Sequence, residues 1–452
     1  MVFRDKLTRL ARIQVQRSIV SPVIIKTKPG RYVEVARQIR PFVERISERF
    51  EGILPGLIPR LRAPAIIPFT PYPMRVIPRF NMIASLLPRE IIWRLAESRD
   101  VEKIYPDQVM RILQYPVVPR EGIFKAPHRV LKEIVFTSSY WVKKAVGADV
   151  ANAKGFTGRG ILVCSIDTGC SRVHEQTRRV MFETTIPPQH RDENGHGTHV
   201  TSLIGGIVAI DEFLSQRARR RVLCEGMAPG CGLLAVKSLG YIVGMGSTSN
   251  IIEGLDIAIE RGASIVNLSL GGPCEVEVPE EDPYFDVFNE VLRYNVIPCV
   301  AAGNSGPGSG TIESPGAMPN VLTVGAYDPI TGKVAPFSSR GPTRWDAIKP
   351  DIVMPGVNID SATDGVCDTA GDGVPSRYSP LSGTSMATPV AAGLITLMRQ
   401  CHRDVLGRIL TMDEIKAMMQ ELGHEKNPTT GWGAMTWQMY EHWLETEYGV
   451  KL

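Results

Sequence analysis

Five polar side chains could do chemistry together: Asp167 in SIDTG, His196 and His199 in NGHGTHV, Asn304 in AAGNSG and Ser385 in LSGTSMATP. The two histidines stand three positions apart. That spacing suits a metal-ligating pair on one helical turn, or one catalytic base beside a bystander. Each of the others has an ordinary reading of its own: a turn aspartate, a turn asparagine, a helix N-cap serine. Their settings have more in common than those readings require. Asp167 and Asn304 close apolar runs, His196 is flanked by Gly195 and Gly197, and Ser385 opens a small-residue helix. Glycines on both sides of a histidine let another backbone come close, which a core histidine does not need. Together an aspartate, a histidine, an asparagine and a serine supply every part of an acyl-transfer site. Serine needs an adjacent base, the base needs a carboxylate to fix its tautomer, and the oxyanion needs donors already in place.

The elements that must position them begin near residue 141. Apolar runs ILVCSID (161–167), GLLAVKSLG (232–240), ASIVNLSLGG (263–272), VIPCVAAGN (296–304) and NVLTVGA (320–326) alternate with helical stretches at 248–262 and 385–400. Buried strands alternating with helices predict an α/β fold, a mostly parallel sheet covered by helices on both faces. Functional groups of such sheets gather at the carboxyl ends of strands, where Asp167 and Asn304 fall. Residues 19–112 read as a separate small α+β unit. Strands are expected at 19–27 and 101–107, and helices at 32–47, interrupted by Pro41, and at 88–100. The proline-studded stretch between the helices admits only loop or edge structure. The resulting division is a tail at 1–18, the small unit at 19–112, a linker at 113–140, the large domain at 141–440 and a tail at 441–452.

The 452 residues are 43% hydrophobic and carry a net charge of +4, which gives no support to a nucleic-acid surface. No window offers the ~18 apolar residues of a membrane span. The first twenty residues show no apolar core or cleavage site of a secretory signal, so a cytoplasmic location is expected if Met1 is the true start. The eight cysteines form no CxxC pattern and are expected to be mostly free, with Cys224 and Cys231 the one local pair to test as a disulfide.

SIDTG, NGHGTHV and GTSMATP, in that order, resemble the three signature motifs of the subtilisin-like serine proteases, the subtilases. The similarity runs over about 140–440 and includes VNLSLGG, VAAGN, FSSRGP and GWG. It implies a serine endopeptidase acting on polypeptides, with His196 as general base, Asp167 orienting it, Ser385 as nucleophile and Asn304 as oxyanion donor. His199 is then structural, and no metal or cofactor is required. The resemblance also implies that Ser269, Leu270, Gly271 and Gly272 pair with the substrate backbone, while Ala302 and Gly303 wall the S1 pocket. Glu313 takes the pocket floor, and a carboxylate there would favour Arg or Lys at P1. The small unit resembles the inhibitory propeptide of this family. Arg111 through Tyr115 would follow the family's cleavage pattern, Pro116 disfavours a cut after Tyr115, and an acidic pocket adds Arg111, Arg120, Lys125, Arg129 and Lys132. A common calcium site of the family is expected to be absent, because Gln176 stands near its acidic position and the 207–229 loop carries arginines. The alternative from another class is a non-catalytic peptide-binding pseudoprotease that retains its prodomain.

Overall fold

In a computed structural model the described residues are 6–18, 20–57, 74–114, 137–186, 191–212, 215–216, 221–240, 243–365, 368–369 and 375–452, with side chains described outside 45–57. The large unit is built on a seven-stranded sheet. Its strands run in the order Ile352–Pro355, Leu322–Tyr327, Ile297–Ala301, Ile265–Leu268, Leu162–Asp167, Gly232–Lys237, Met181–Thr184, and every pairing is parallel. The near-continuous apolar strands are explained by burial on both faces. Along Leu162–Asp167, Val163 points into one core, with Val200 and Leu203 of helix His196–Gly205 and Ala387 and Leu394 of helix Thr384–Leu406. Its neighbours Cys164 and Ile166 point into the other, with Ile251 and Leu255 of helix Thr248–Glu260 and Val287 and Phe288 of helix Pro283–Arg293. The α/β expectation holds.

The small unit has a four-stranded antiparallel sheet in the order Met74–Ile77, Met82–Pro88, Val20–Thr27, Val101–Pro106. Strand alternation again serves two partners. Val23 and Ile25 face the unit's own helices, whereas Ile24, Met82 and Tyr105 join the core beneath helices Thr248–Glu260 and Pro283–Arg293. The sheet therefore docks face-on against the large unit.

Several boundaries move. Residues 9–17 form a helix, not a tail; Thr8 caps it, and Ala11 and Val15 are fully buried in the small unit's core. The helix from Tyr32 continues through Pro41 to Leu57. Thr137–Ser138 already pairs in parallel with Ile359–Asp360, so the large unit begins before residue 141. At the other end, helix Trp437–Tyr448 buries Trp443 and Leu444, so residue 440 is mid-helix and no tail starts there. Cys224 and Cys231 are both free thiols, and the suggested disulfide is absent. Among the described residues no helix is long and apolar enough to cross a membrane.

Candidate active site

Asp167 ends its strand with its side chain buried, and its Oδ1 accepts both the Thr168 N–H and His196 Nδ1–H at 2.7 Å. The carboxylate therefore holds the tautomer that leaves His196 Nε2 with its lone pair. The glycines around His196 have physical reasons. Gly195 has φ of +87°, and a Cβ on Gly197 would stand 2.1 Å from the Gly169 carbonyl oxygen. The first turn of the histidine's helix thus sits directly on the turn that follows Asp167.

A further residue builds this corner, and sequence reasoning missed it. Asp192 Oδ1 accepts from Thr168 Oγ1 at 2.8 Å and Gly195 N at 2.8 Å, while Oδ2 accepts from Thr198 N and Thr198 Oγ1. It ties the aspartate's turn to the histidine's helix. No local signal marked it: the N-cap of that helix is Gly195, and Asp192 stands three residues before it.

His199 turns away. Its Nε2 donates to the Ile359 and Ser379 carbonyls at 2.9 and 3.1 Å, and burial pushes its pKa down to about 3. Its Nε2 is committed to two backbone carbonyls, and among the described residues no group of three or more His, Cys, Asp or Glu side chains could hold a metal ion.

Ser385 is the second residue of helix Thr384–Leu406. Its hydroxyl donates to the Ser269 carbonyl at 2.8 Å, and Ser269 Oγ donates back to the Ser385 carbonyl at 2.9 Å. The hydroxyl is thus not on His196 Nε2, which is buried without a hydrogen-bond partner among the described residues. Asn304 is oriented from behind, its Oδ1 accepting from Thr384 N at 2.9 Å and Thr384 Oγ1 at 3.0 Å. That leaves its NH₂ facing the backbone before Ser385, 3.2 Å from where a Cβ of Gly383 would be.

The expected pocket residues converge. Glu313 N donates to the Ala302 carbonyl, Gly272 and Ser314 exchange two backbone bonds at 2.9 Å, and a Cβ on Gly303 would lie 2.7 Å from Glu313 Cγ. The Glu313 side chain is 5% exposed. Its Oε1 accepts from Ser305 Oγ at 2.7 Å and Asn304 N at 3.3 Å, while Oε2 is buried with no hydrogen-bond partner among the described residues. Leu270–Gly271 forms one edge of a three-stranded sheet whose other edge is Met245–Ser247, and the small unit's last strand, Val109–Ile112, lies between them. The chain itself fills the cleft.

Residues 158–433 match the family model described as the Subtilase family. The chain belongs to that family. The serine protease AprX of Bacillus subtilis is 34% identical over 379 residues, covering 78% of this chain and 76% of that protein. Subtilisin Savinase of Lederbergia lenta is 37% identical over 262 residues, or 58% of this chain and 84% of the relative. M-protease of Shouchella clausii is 35% identical over 295 residues, 65% of each chain. The resemblance read from the three motifs is thereby confirmed, and with it the serine endopeptidase class.

Two features of this subtilase lie outside the triad corner. Gln176 is buried, and its amide donates to the Ile207 and Cys224 carbonyls at 2.8 and 3.0 Å. Its Oε1 is buried without a hydrogen-bond partner among the described residues. The face that receives the small unit is acidic. Arg79 pairs with Asp256 at 2.5 Å, Lys26 with Asp286 at 2.6 Å and Arg75 with Glu253, while Tyr105 donates to Asp286 at 2.9 Å. One contact reverses the pattern. Asp107, from the small unit, accepts from Ser249 N and Ser249 Oγ in the first turn of helix Thr248–Glu260, and burial lifts its pKa to about 6. Arg120, Lys125, Arg129, Lys132, Tyr115 and Pro116 lie outside the described residues, as does the arginine run at 217–220.

Proposed function

We propose that this chain is a self-processing endopeptidase zymogen in which Asp167, His196 and Ser385 form the triad and Asn304 supplies an oxyanion donor. The observation that carries the reading is the 2.7 Å Asp167–His196 bond, set beside a helix-opening serine in a cleft already filled by an extended strand. In the reaction, rotation about the Ser385 Cα–Cβ bond takes the hydroxyl from the Ser269 carbonyl to His196 Nε2. His196 accepts its proton as Oγ attacks the scissile carbonyl. Asp167 stabilises the imidazolium through Nδ1, and the oxyanion is met by Asn304 Nδ2 and the Ser385 N–H. The proton passes to the leaving amine, and water then cleaves the acyl-enzyme by the same steps in reverse.

Residues 6–112 act as the inhibitory prodomain, held by apolar docking and by basic side chains on an acidic face. Substrates add as the middle strand, as Val109–Ile112 does, between Met245–Ser247 and Leu270–Gly271. Glu313 Oε2, buried and without a hydrogen-bond partner among the described residues, favours Arg or Lys at P1. The calcium site common in the family is taken to be unused, because the Gln176 NH₂ points at the Ile207 and Cys224 carbonyls.

The test is hydrolysis of an unfolded protein substrate by the wild type and by Ser385→Ala, after limited proteolysis of the segment following Gln114. Turnover by the wild type alone is expected. Equal turnover, or none by either protein, would sink the assignment.

A further inference from the structure

We infer that the bond this chain cuts in itself is Leu113–Gln114. The inference rests on the peptidase reading above and names the bond that the reading leaves open. Three observations converge on it.

The first is register. In the antiparallel pairing of the tail with the cleft edge, Arg111 stands opposite Gly271 and Ile112 opposite Leu270. Continued by one residue, that register would set Leu113 opposite Ser269, the residue that exchanges two hydrogen bonds with Ser385. The second is the carbonyl. A Cβ on Gly383 would lie 2.3 Å from Leu113 O and 3.2 Å from Asn304 Nδ2, so the carbonyl and the amide face the same spot in front of the serine's helix. The third comes from the other side. Gln114 Nε2 donates to the Thr369 carbonyl at 2.7 Å, and Thr369 Oγ1 donates to the carbonyl of Asn194, two residues before His196. Leu113 is thus on the serine and asparagine side and Gln114 on the histidine side. The peptide bond between them crosses from nucleophile to base.

The Leu113 side chain is 2% exposed, and its Cδ1 reaches the same point beside Gly271 as Glu313 Oε2, each 3.0 Å from where a Cβ would stand. The basic alternative at Arg111 is held elsewhere. Its backbone is paired on both sides, with Met245 and Gly271, and its guanidinium lies 3.7 Å from Glu313 Oε1. Arg111 therefore brings its charge to Glu313 from two residues upstream of the bond, and a leucine is accepted in the acidic pocket itself. A leucine there makes a poor substrate for such a pocket, which suits a bond cut once by its own chain. Pro116 is the third residue beyond the bond and does not obstruct it.

The step balances with water alone. Ser385 Oγ bonds to the Leu113 carbonyl carbon, the Leu113–Gln114 C–N bond breaks, and the serine proton travels through His196 to the departing Gln114 amine. Water then hydrolyses the Leu113 ester. The products are fragment 1–113 with a carboxylate end and fragment 114–452 with a Gln114 amine.

The experiment is a time course of intact-mass spectra on the full chain, with Ser385→Ala and Gln114→Pro alongside and a fluorophosphonate probe added at each point. The expected first products are 1–113 and 114–452 from the wild type, with no cut in Ser385→Ala and loss of the 1–113 fragment in Gln114→Pro. A probe-reactive chain whose first cut lies elsewhere, or which never cuts itself, overturns the Leu113–Gln114 assignment and leaves the peptidase reading standing. A chain that neither cuts nor takes up the probe overturns both.

Discussion

Glu313→Gln should change what the cleft selects without disturbing how it folds. Oε1 of Glu313 is the atom the protein holds, through Ser305 Oγ at 2.7 Å and Asn304 N at 3.3 Å, and a glutamine keeps an acceptor there. Oε2 is the atom left over, buried and without a hydrogen-bond partner among the described residues, and it becomes an NH₂. A Lys or Arg at P1 would form a charge-assisted bond to that oxygen, worth about 1.5–3 kcal/mol net. At about 1.4 kcal/mol per decade, losing it lowers kcat/KM for P1-Arg and P1-Lys peptides roughly 10- to 100-fold. Peptides with P1-Leu gain no such bond and should change by no more than about threefold, within the context scatter of a single contact. The assay is kcat/KM on matched peptides differing only at P1, using mature protein of both forms. An unchanged Arg-to-Leu ratio would refute the reasoning, and so would an equal fall on both, since either means Oε2 does not meet the P1 side chain.

Three further outcomes follow from the geometry. Asn304→Ala should lower kcat about 10²–10³-fold with little change in KM, a range carried over from subtilisin itself; steady-state kinetics checks it, and a fall confined to KM contradicts the oxyanion role. Asp107 has a pKa of about 6 when docked against an ordinary 3.8, so the docked form favours the protonated acid. Its contribution is full below about pH 3.8 and is lost as pH rises through about 6, some 3 kcal/mol in all. Prodomain release followed by gel filtration after the cut should therefore be faster at pH 7 than at pH 4.5, and Asp107→Asn should flatten the difference; release that speeds up on acidification contradicts this. Finally, a calcium chelator should leave Tm and activity unchanged if the Gln176 amide replaces the ion, whereas a drop of several degrees would place a calcium site elsewhere in the chain.

The family and the close-packed motifs were far more legible in the sequence than the boundaries were. Asp167, His196, Asn304 and Ser385 sit in short motifs whose glycines and small residues mark close approach, and Gly197 against the Gly169 carbonyl bears out that physical reading. The parallel sheet was legible because strands buried on both faces are continuously apolar. The N-terminal helix was not: RLARIQVQR has a narrow apolar stripe, and only docking against Ile104 and its neighbours buries Ala11 and Val15. Helix Trp437–Tyr448 was missed for a related reason, since its aromatic residues pack as a tertiary cluster with His402 and give a weak periodic signal. Asp192 was invisible because its partners, Thr168 and Thr198, come from two elements whose juxtaposition only the fold creates. The seating of Leu113 depends on register between strands more than a hundred residues apart, which no local pattern encodes.

The most direct test of the account is where a fluorophosphonate attaches. Peptide mapping of the labelled mature protein should find one adduct, on Ser385, lost in His196→Ala. Labelling on another residue, or labelling of Ser385 that survives the loss of His196, would contradict the assembled triad.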